Sequence, residues 1–272
     1  MKKEKPIVFI SARNCAAYIE ECIAKLSSQT SKNFTILMVD DKSEDETYAI
    51  ARVALEVYFP TRFLIFRNKE RLGKAASAYK HLRKINAEFV AILDGDDYLI
   101  DNDILKQYEK YYELGYDVVW SNYSKGPDLV GHCKALDPRK KPRMQGWRTS
   151  HFFSFRHSLF LNIPEHYFQN DNKEWLLSAC DQAIAYPILD QTRRYKFINK
   201  MTYFYRTNNP NSHHNWRPGD KEKFPLSSDH QRKNSSLVLS KTPMPLTNQM
   251  IAGTVPFQDL KDTEAFVEVL SA

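Results

Sequence analysis

The chain has 272 residues, of which 42% are hydrophobic and 13% aromatic, and its formal net charge is +6 at pH 7. This length and composition predict one large domain, or a domain with an appendage, and exclude a disordered or fibrous protein. No apolar run approaches the roughly 20 residues of a membrane-spanning helix. The modest positive charge suits a phosphate-bearing ligand or an anionic surface but does not by itself indicate nucleic-acid binding.

The amino terminus and the cysteines both favour a cytoplasmic protein. The sequence MKKEKPIVFI has a short apolar stretch and no small-residue cleavage site, so we interpret it as a first strand rather than a signal peptide. Cys15, Cys22, Cys133 and Cys180 show no metal-ligand spacing and no CxxC motif. We therefore expect four free thiols in a reducing compartment.

Strand and helix patterns alternate over the first 120 residues. Ser43 and Glu46 have the spacing of a capping box at the start of one helix, and Gly73 precedes another. Strands that alternate with helices of this length indicate βαβ units and a mainly parallel sheet. The predicted strands lie at 6–11, 34–39, 63–66, 89–93 and 117–120, and the helices at 16–28, about 43–57, after 73 and about 104–114.

The second half of the chain is less regular. The stretch DPRKKPRMQGW predicts an exposed basic loop, and a helix is predicted from about Lys173 to Leu189 with an interruption at Pro187. Residues 195–206 alternate enough for one or two strands, and from about Asn208 the chain becomes polar.

These patterns predict the domain organisation. A main domain is expected over 1–215, divided into a ligand-binding half at 1–120 and a second half at 121–215. The polar extension at 216–272 is expected to pack on this domain or to mediate oligomerisation.

Polar clusters follow three of the predicted strands. Ligands of parallel sheets bind beyond the carboxyl ends of the strands, and turns at strand ends are also rich in such residues. One cluster would be typical of a turn, but three at one edge of a sheet favour a site. The clusters are Ser11-Ala12-Arg13-Asn14, Asp40-Asp41 and Asp94-Gly95-Asp96-Asp97.

The cluster in AILDGDDY crowds three carboxylates at the end of a buried strand. Asp94 and Asp96 project to the same side if the strand geometry persists, with Asp97 opposite. A Mg²⁺ or Mn²⁺ ion shared with a diphosphate would relieve the repulsion between these carboxylates. Because the motif is short, it carries little weight by itself.

Four segments in order make the pattern more specific. ISARNCAAYIEECIAKLSSQT, VDDKSEDET, RLGKAASAYKHL and AEFVAILDGDDYL span 6–99 and resemble the successive motifs of inverting glycosyltransferases of family two, with weaker similarity to about His214. The resemblance implies a GT-A fold, which is Rossmann-like, and an acceptor-side α+β region. It also implies transfer of a sugar from a nucleotide-diphospho-sugar to an acceptor hydroxyl, usually with divalent Mn²⁺ or Mg²⁺.

The resemblance also implies which residues bind the donor. Ser11, Arg13 and Asn14 occupy the motif beside the nucleoside, although the family usually has an aromatic residue where Arg13 stands. Asp41 matches the aspartate that hydrogen-bonds the base, with a helix N-terminal charge as the alternative. Gly73 and Lys74 lie where the chain approaches the donor, and Lys74 either meets a phosphate or remains solvated.

The metal ligands implied by the resemblance lie in the DxD motif. Asp94 is expected near the ribose and metal, and Asp96 is expected to be the principal metal ligand, a role that Asp97 could also take. The late segment YRTNNPNSHH would add His213 or His214 as a ligand, although a surface histidine is an open alternative.

The resemblance places the catalytic base at Asp181, in EWLLSACDQAIAYPIL, with Glu174 as the fallback. An exposed helix carboxylate is the alternative for Asp181. TSHFFSFRHSLF resembles the floor of the acceptor side, where Trp147 and His151 could contact a sugar. Core packing is preferred for Phe152, Phe153 and Phe155.

The sequence leaves the donor nucleotide, the acceptor molecule and the class of protein partly open. UDP is the donor nucleotide expected from the family, and the acceptor could be a polysaccharide, a lipid-linked glycan, a protein or, least favoured, a nucleic acid. The basic loop at 139–143 could contact an anionic membrane surface. A nucleotidyltransferase should have a glycine-rich phosphate loop that SARNCAAY lacks, and an inactive sugar-binding module would need neither DGDD nor Asp181.

Overall fold

The computed structural model describes residues 4–126, 129–210 and 228–247. Within these ranges the chain forms one eight-stranded sheet flanked by helices. In chain order the elements are β1 (Ile7–Ala12), α1 (Ile19–Ser27), β2 (Thr35–Asp40), α2 (Thr47–Tyr58), β3 (Phe63–Arg67), α3 (Lys74–Leu82), β4 (Phe89–Asp94), β5 (Tyr98–Leu99), α4 (Ile104–Glu113), β6 (Val118–Ser124), β7 (Phe153–Arg156), α5 (His157–Leu161), α6 (Cys180–Asp190), β8 (Tyr195–Phe204) and α7 (Ser228–Ser240).

The strand order in the sheet is β3-β2-β1-β4-β7-β6-β8-β5. β1 pairs in parallel with β2 and β4, and β2 pairs in parallel with β3. β7 runs antiparallel to both β4 and β6, whereas β6 and β8 are parallel. The predicted α/β architecture with a mainly parallel sheet is therefore confirmed, and the antiparallel strand β7 joins its two halves.

Hydrophobic burial explains why the first half folds as the sequence predicts. The central strands β1, β2 and β4 are almost continuously buried, as expected for strands covered on both faces. Helix α1 buries Ile19, Cys22, Ile23 and Leu26, which share one helical face. Phe152, Phe153 and Phe155 are buried core residues, as predicted.

The predicted start of the helix that contains Asp181 is wrong, and so is its predicted interruption. Lys173 and Ala179 have φ values of 64° and 55°, in the left-handed region, so the helix predicted from Lys173 begins only at Cys180. It then passes through Pro187 without interruption.

The predicted capping box is absent at the start of α2. The Ser43 hydroxyl bonds Asp40 instead, and Asp45 accepts the Thr47 N–H at 3.1 Å. Asp45 therefore supplies the local acceptor at the start of this helix.

The stretch predicted as an exposed basic loop contains an arginine whose side chain is buried. Arg143 donates to both carboxylate oxygens of Asp190, at the end of α6, and to the Val238 carbonyl in α7 at 2.6 Å. Only Arg139, Lys140 and Lys141 within this stretch are exposed cations. Arg143 thus connects three distant segments, which no local pattern indicates.

The four cysteines are free and buried, in agreement with the predicted thiols. No helix in the described ranges is long and apolar enough to cross a membrane. Part of the predicted polar extension, α7, lies on α6, where its residue Asn234 is buried and bonds Ser178 at 2.9 Å.

Candidate active site

The three polar clusters predicted from the sequence meet at one edge of the sheet. Ser11 accepts the Gly95 N–H at 2.9 Å, and Ala12 accepts the Asp41 N–H at 2.8 Å. The ends of β1, β2 and β4 are therefore held side by side by backbone hydrogen bonds. This places the three clusters next to one another, as the parallel sheet requires.

Gly95 allows this close approach. A Cβ atom at this position would lie 2.8 Å from the Cβ of Ala12 and 3.2 Å from the Sγ of Cys15. Both neighbours are buried, so neither has free space to move into. Glycine between the two aspartates is thus a packing requirement of the DGDD segment.

We expect Gly95→Ala to lower the free energy of unfolding by about 1–3 kcal/mol, the usual range for overpacking a core. Chemical unfolding of the purified variant measures this change. A free energy of unfolding that is the same for Gly95→Ala and wild type would contradict the packing role of Gly95.

Lys74 connects the DGDD cluster to the predicted base. Its Nζ lies 2.7 Å from Oδ2 of Asp94 and 2.7 Å from Oδ1 of Asp181. Burial alone would lower the pKa of Lys74, but the carboxylates of Asp181 and Asp94 outweigh it and raise this pKa well above its usual value. The lysine is therefore a fixed cation at the centre of the site.

Asp181 reaches this centre because of the chain turn before α6. Ala179 adopts the left-handed conformation, so α6 starts immediately before Asp181 and places it in the first turn. A helix N-terminus favours a negative charge there. Its side chain is 37% exposed, which leaves it accessible to a ligand. Asp181 thus lies near Asp94 although 87 positions separate them in the sequence.

Asp96 and Asp97 have different environments. Asp96 is half-buried and accepts from the side-chain amide of Asn209 at 2.7 Å. Asp97 is buried, and its two oxygens accept from the Tyr203 hydroxyl and the Arg206 N–H, each at 2.7 Å. Asp97 thus holds the chain that follows β8, whereas Asp96 is the less enclosed of the two.

Burial and mutual repulsion both raise the pKa values of Asp96 and Asp97. Burial is the largest cause that raises the pKa of Asp96, and the charge of Asp94 is the second. The hydrogen bond from Asn209 opposes this shift. Burial, followed by the Asp96 and Asp94 charges, raises the pKa of Asp97 well above its usual value. A cation beside Asp94 and Asp96 would relieve this repulsion.

The segment after β8 covers this edge of the sheet. Arg206 donates to the Asp96 carbonyl at 2.8 Å and lies 4.4 Å from the ring centroid of Tyr18. It also forms an ion pair with Glu21 in α1. Arg206 and Asn209 therefore attach this late segment to both DGDD and α1.

Asp41 organises the chain that leads to Lys74. Its Oδ1 accepts from the side-chain amide of Asn68 and the Leu72 N–H, and its Oδ2 accepts the Gly73 N–H at 2.8 Å. Gly73 has a φ of +83°, and a Cβ there would lie 2.9 Å from the Leu176 carbonyl oxygen. Asp41 and Gly73 thus shape the loop before α3.

Arg13 and Asn14 contact the loop after β2. Arg13 donates to the carbonyls of Asp41 and Lys42 and to the Glu44 carboxylate. Asn14 accepts the Glu44 N–H at 2.9 Å through its side chain. These contacts hold the first predicted motif against the second, in the position predicted to lie beside a nucleoside.

Asp94 and Asp96 are the two carboxylates that were predicted to hold a divalent cation. Within the part of the chain that the structure describes, no group of three or more His, Cys, Asp or Glu side chains is arranged to hold a metal ion. Mg²⁺, however, is commonly bound by one or two carboxylates together with phosphates and water. Asp94 and Asp96 are hard oxygen ligands of this kind, and Asp94 also contacts the ammonium group of Lys74.

The remaining predicted residues lie in several places. His213 and His214 fall outside the described residues. Glu174 is exposed and accepts from the Asn170 side chain at 2.8 Å. Trp147 packs on Tyr186 in α6, with ring centroids 5.5 Å apart. His151 stacks on Tyr203 and Tyr205, with ring centroids 4.8 and 5.2 Å away.

Sequence reasoning did not single out Tyr203, Arg206 and Asn209. The only signal was their position in or beside the late segment YRTNNPNSHH, which the resemblance singled out for its histidines. Their partners in DGDD lie more than 100 positions earlier in the chain.

An α/β sheet with acidic and basic side chains at its carboxyl edge is a common architecture for nucleotide-binding proteins. Residues 7–186 match the model of the family described as Glycosyl transferase family 2. This match covers well over half of the chain, so the chain belongs to glycosyl transferase family 2.

Curated relatives include two bacterial glycosyltransferases. The chain is 30% identical over 116 residues to Glycosyltransferase GlyG of Streptococcus pneumoniae, which is 43% of this chain and 38% of the relative. It is 30% identical over 100 residues to UDP-Glc:alpha-D-GlcNAc-diphosphoundecaprenol beta-1,3-glucosyltransferase WfaP of Escherichia coli, 37% of this chain and 38% of the relative. The chain thus spans less than half the length of these relatives.

Two solved structures confirm the GT-A fold. TarS residues 1–349 of S. aureus, in complex with UDP, aligns with a TM-score of 0.57 at 22% identity, covering 76% of this chain and 61% of TarS. The mannosyltransferase PcManGT of Pyrobaculum calidifontis, in complex with GDP-Man and Mn²⁺, aligns with a TM-score of 0.56 at 16% identity. That alignment covers 99% of this chain and 81% of PcManGT.

Proposed function

We propose that this protein is a metal-dependent inverting glycosyltransferase that moves a sugar from a UDP-sugar to an acceptor hydroxyl in glycan synthesis. The observation that carries the proposal is the contact of Lys74 with both Asp94 and Asp181. The ammonium group of Lys74 thus contacts both Asp94, which is predicted to bind the donor, and Asp181, the predicted base. Family membership supports the same reaction class.

UDP is the donor nucleotide that the relatives favour. WfaP is named as acting with UDP-Glc, and TarS was solved with UDP and with UDP-GlcNAc. The loops that follow β1 and β2, which contain Arg13, Asn14 and Asp41, would hold the nucleoside end. Backbone hydrogen bonds of Ser11 and Gly73 help to hold these loops in place. Lys74 would then meet the diphosphate, a role that suits its fixed charge.

Asp94 and Asp96 would hold Mn²⁺ or Mg²⁺ together with the donor diphosphate. When bound, such an ion stabilises the negative charge that develops on a leaving diphosphate. PcManGT was solved in complex with GDP-Man and Mn²⁺, which is consistent with this assignment. In this proposal Asp97 keeps its hydrogen bonds to Tyr203 and Arg206 and is not a metal ligand.

Asp181 would act as the general base. The acceptor oxygen attacks the anomeric carbon, the bond from that carbon to the diphosphate oxygen breaks, and Asp181 takes the proton of the attacking hydroxyl. A single displacement of this kind inverts the anomeric centre. The nucleoside diphosphate leaves with the bonding electron pair, on the side where Lys74 and Asp94 lie.

We expect the wild-type protein to release UDP slowly from UDP-glucose or UDP-N-acetylglucosamine when Mn²⁺ is present. Asp96→Asn should lower this release at least 100-fold and should remove its dependence on Mn²⁺, because one anionic ligand is lost. A coupled assay for UDP measures the rate, and Glu174→Gln is the matched control for loss of a distant carboxylate. Release that is unchanged in Asp96→Asn would contradict the metal assignment.

The same assay separates the alternatives. A nucleotidyltransferase would produce sugar 1-phosphate and exchange nucleotides instead of releasing UDP. A catalytically inactive nucleotide-sugar-binding module would bind UDP-sugars without turnover.

Three further proposals rest on sequence composition alone. They are contact with an anionic membrane surface through exposed Arg139, Lys140 and Lys141, self-association through the C-terminal extension, and a cytoplasmic location.

A further inference from the structure

The turn that places Asp181 contains a residue in an unfavourable conformation. Ala179 has a φ of 55°, in the left-handed region, which is strained for a residue with a Cβ atom. Such a conformation persists only where neighbouring groups hold it in place. Cys180 then starts α6, and Asp181 follows in its first turn, where it contacts Lys74. The contacts that hold residues 176–180 therefore also determine where Asp181 lies.

One part of this turn packs against the chain that leads to α3. The Leu176 carbonyl oxygen lies so close to Gly73 that a Cβ atom on Gly73 would be 2.9 Å from it. The Cys180 thiol donates to the same carbonyl at 3.2 Å, and the Leu176 N–H donates to the Phe168 carbonyl at 3.0 Å. The turn therefore has no room to move toward Gly73.

A second set of contacts comes from α7, which lies outside the residues 7–186 that match the family model. Ser178 is buried, and its hydroxyl accepts from the Asn234 side-chain amide at 2.9 Å and bonds Nδ1 of His230 at 3.0 Å. His230 and Asn234 are four positions apart, so they lie on one face of the helix. Asn234 is buried, although asparagine is mostly an exposed residue. These two side chains thus attach the residue directly before Ala179 to α7.

Helix α7 is itself attached to α6 at a second point. Val238 of α7 is buried, and its carbonyl accepts from Arg143 at 2.6 Å. Arg143 in turn pairs with Asp190, the last residue of α6. The contacts of Ser178 lie near the start of α6 and those of Asp190 lie at its end. Because α7 is held at both ends of α6, it is a rigid support for the turn before Asp181.

We propose that Asn234 and Ser178 are positioning residues for the base of the reaction. Their hydrogen bond holds the turn at Ala179 and thereby keeps the carboxylate of Asp181 beside Lys74. Both side chains are buried, so they act through Asp181 and not by contact with a substrate. The inference rests on the proposed function, because it takes Asp181 as the base. It goes further in assigning a part in the reaction to a helix outside the family match.

The test measures UDP release from UDP-glucose with Mn²⁺ by Asn234→Ala and Ser178→Ala in the full chain. We expect each variant to lower kcat about tenfold, because a base displaced by a fraction of an ångström loses proton transfer. KM for UDP-glucose and the affinity for UDP should stay near their wild-type values, because donor binding does not use the base. Both substitutions break the same bond, so the double variant should be about as slow as the slower single variant.

Tyr167→Phe is the matched control. It removes a hydroxyl that donates to the Thr242 carbonyl at 2.6 Å, so it also breaks one hydrogen bond that attaches the segment after α7. Its kcat should equal that of wild type. All rates are compared at a temperature at which circular dichroism shows every variant folded, so a lower kcat does not reflect a smaller folded fraction. Ser178→Ala changes only one hydroxyl, so the test does not depend on the folding of Asn234→Ala.

Three results would overturn the inference. They are a wild-type kcat in the folded Asn234→Ala and Ser178→Ala variants, parallel losses of kcat and UDP affinity in them, and an equal loss of kcat in Tyr167→Phe. Near-normal turnover in Asp181→Asn would instead overturn the base assignment of the proposed function. An inactive Asp181→Asn together with fully active Asn234→Ala would overturn only the positioning role, so the two failures are distinguishable.

Discussion

Asp181→Asn is expected to lower sugar transfer by about 10²–10⁴-fold, the usual contribution of a general base. Asparagine has nearly the same shape, and its carbonyl oxygen can still accept from Lys74, so the side chain is expected to stay in place. What it loses is the ability to take the acceptor proton. UDP release from UDP-glucose with Mn²⁺ measures the rate, and calorimetric titration with UDP measures binding, which should stay within a factor of two or three of wild type.

Glu174→Gln is the control for this prediction. Glu174 is exposed and bonds Asn170 in a surface turn, so its neutral variant should keep wild-type rates. Near-normal turnover in Asp181→Asn together with a large loss in Glu174→Gln would transfer the role of the base to Glu174. Near-normal turnover in both would remove both residues from the mechanism.

The second large effect is expected at the buried ion pair of Arg143 and Asp190. The side chains are 8% and 3% exposed, and they contact each other through three hydrogen bonds. Breaking a buried pair by removing one partner leaves an uncompensated charge and typically costs about 3–5 kcal/mol. We therefore expect Arg143→Ala to lower the free energy of unfolding by this amount in urea titrations.

An exposed pair in the same stretch gives a matched control. Arg139 pairs with Asp137 at 3.0 Å, but its side chain is 72% exposed. Arg139→Ala should therefore leave the free energy of unfolding close to that of wild type, because exposed ion pairs contribute little to stability. Similar losses in the two variants would contradict the structural role of Arg143. The double variant Arg143→Met/Asp190→Leu should recover much of the lost stability, because no charge is then left buried alone.

The sequence was sufficient to predict the first half of the fold, because burial there follows local periodicity. The apolar residues of β1, β2 and β4 form continuous runs, and α1 has one apolar face, so each element could be located from its own residues. The edge at which Asp41 and Asp94 meet then follows from the parallel sheet.

The errors arise where structure depends on distant partners or special backbone conformations. The left-handed conformations of Lys173 and Ala179 have no signal in residue type, so the start of α6 was misplaced. Helix α7 has few apolar residues, and the contact of its Asn234 with Ser178 links positions 56 residues apart. Arg143 was expected to be exposed because its partner Asp190 is 47 positions away.

The candidate site was only partly predictable for the same reason. Neighbouring aspartates in DGDD are equivalent by residue type, and distant partners distinguish them: Tyr203 and Arg206 bond Asp97, whereas Asn209 bonds Asp96. Lys74 was expected to meet a phosphate or to be solvated, and its contact with Asp181 depends on the folding of two separate segments.

Binding of UDP to the wild-type protein, measured by calorimetry with Mn²⁺ and again with excess EDTA, tests the donor site most directly. We predict binding that requires Mn²⁺, is lost in Asp96→Asn and persists in Asp181→Asn. Binding that is equally tight in EDTA and in Asp96→Asn, or no binding of any nucleotide diphosphate by a folded protein, would contradict the assignment of this sheet edge to a nucleotide-sugar and its metal ion.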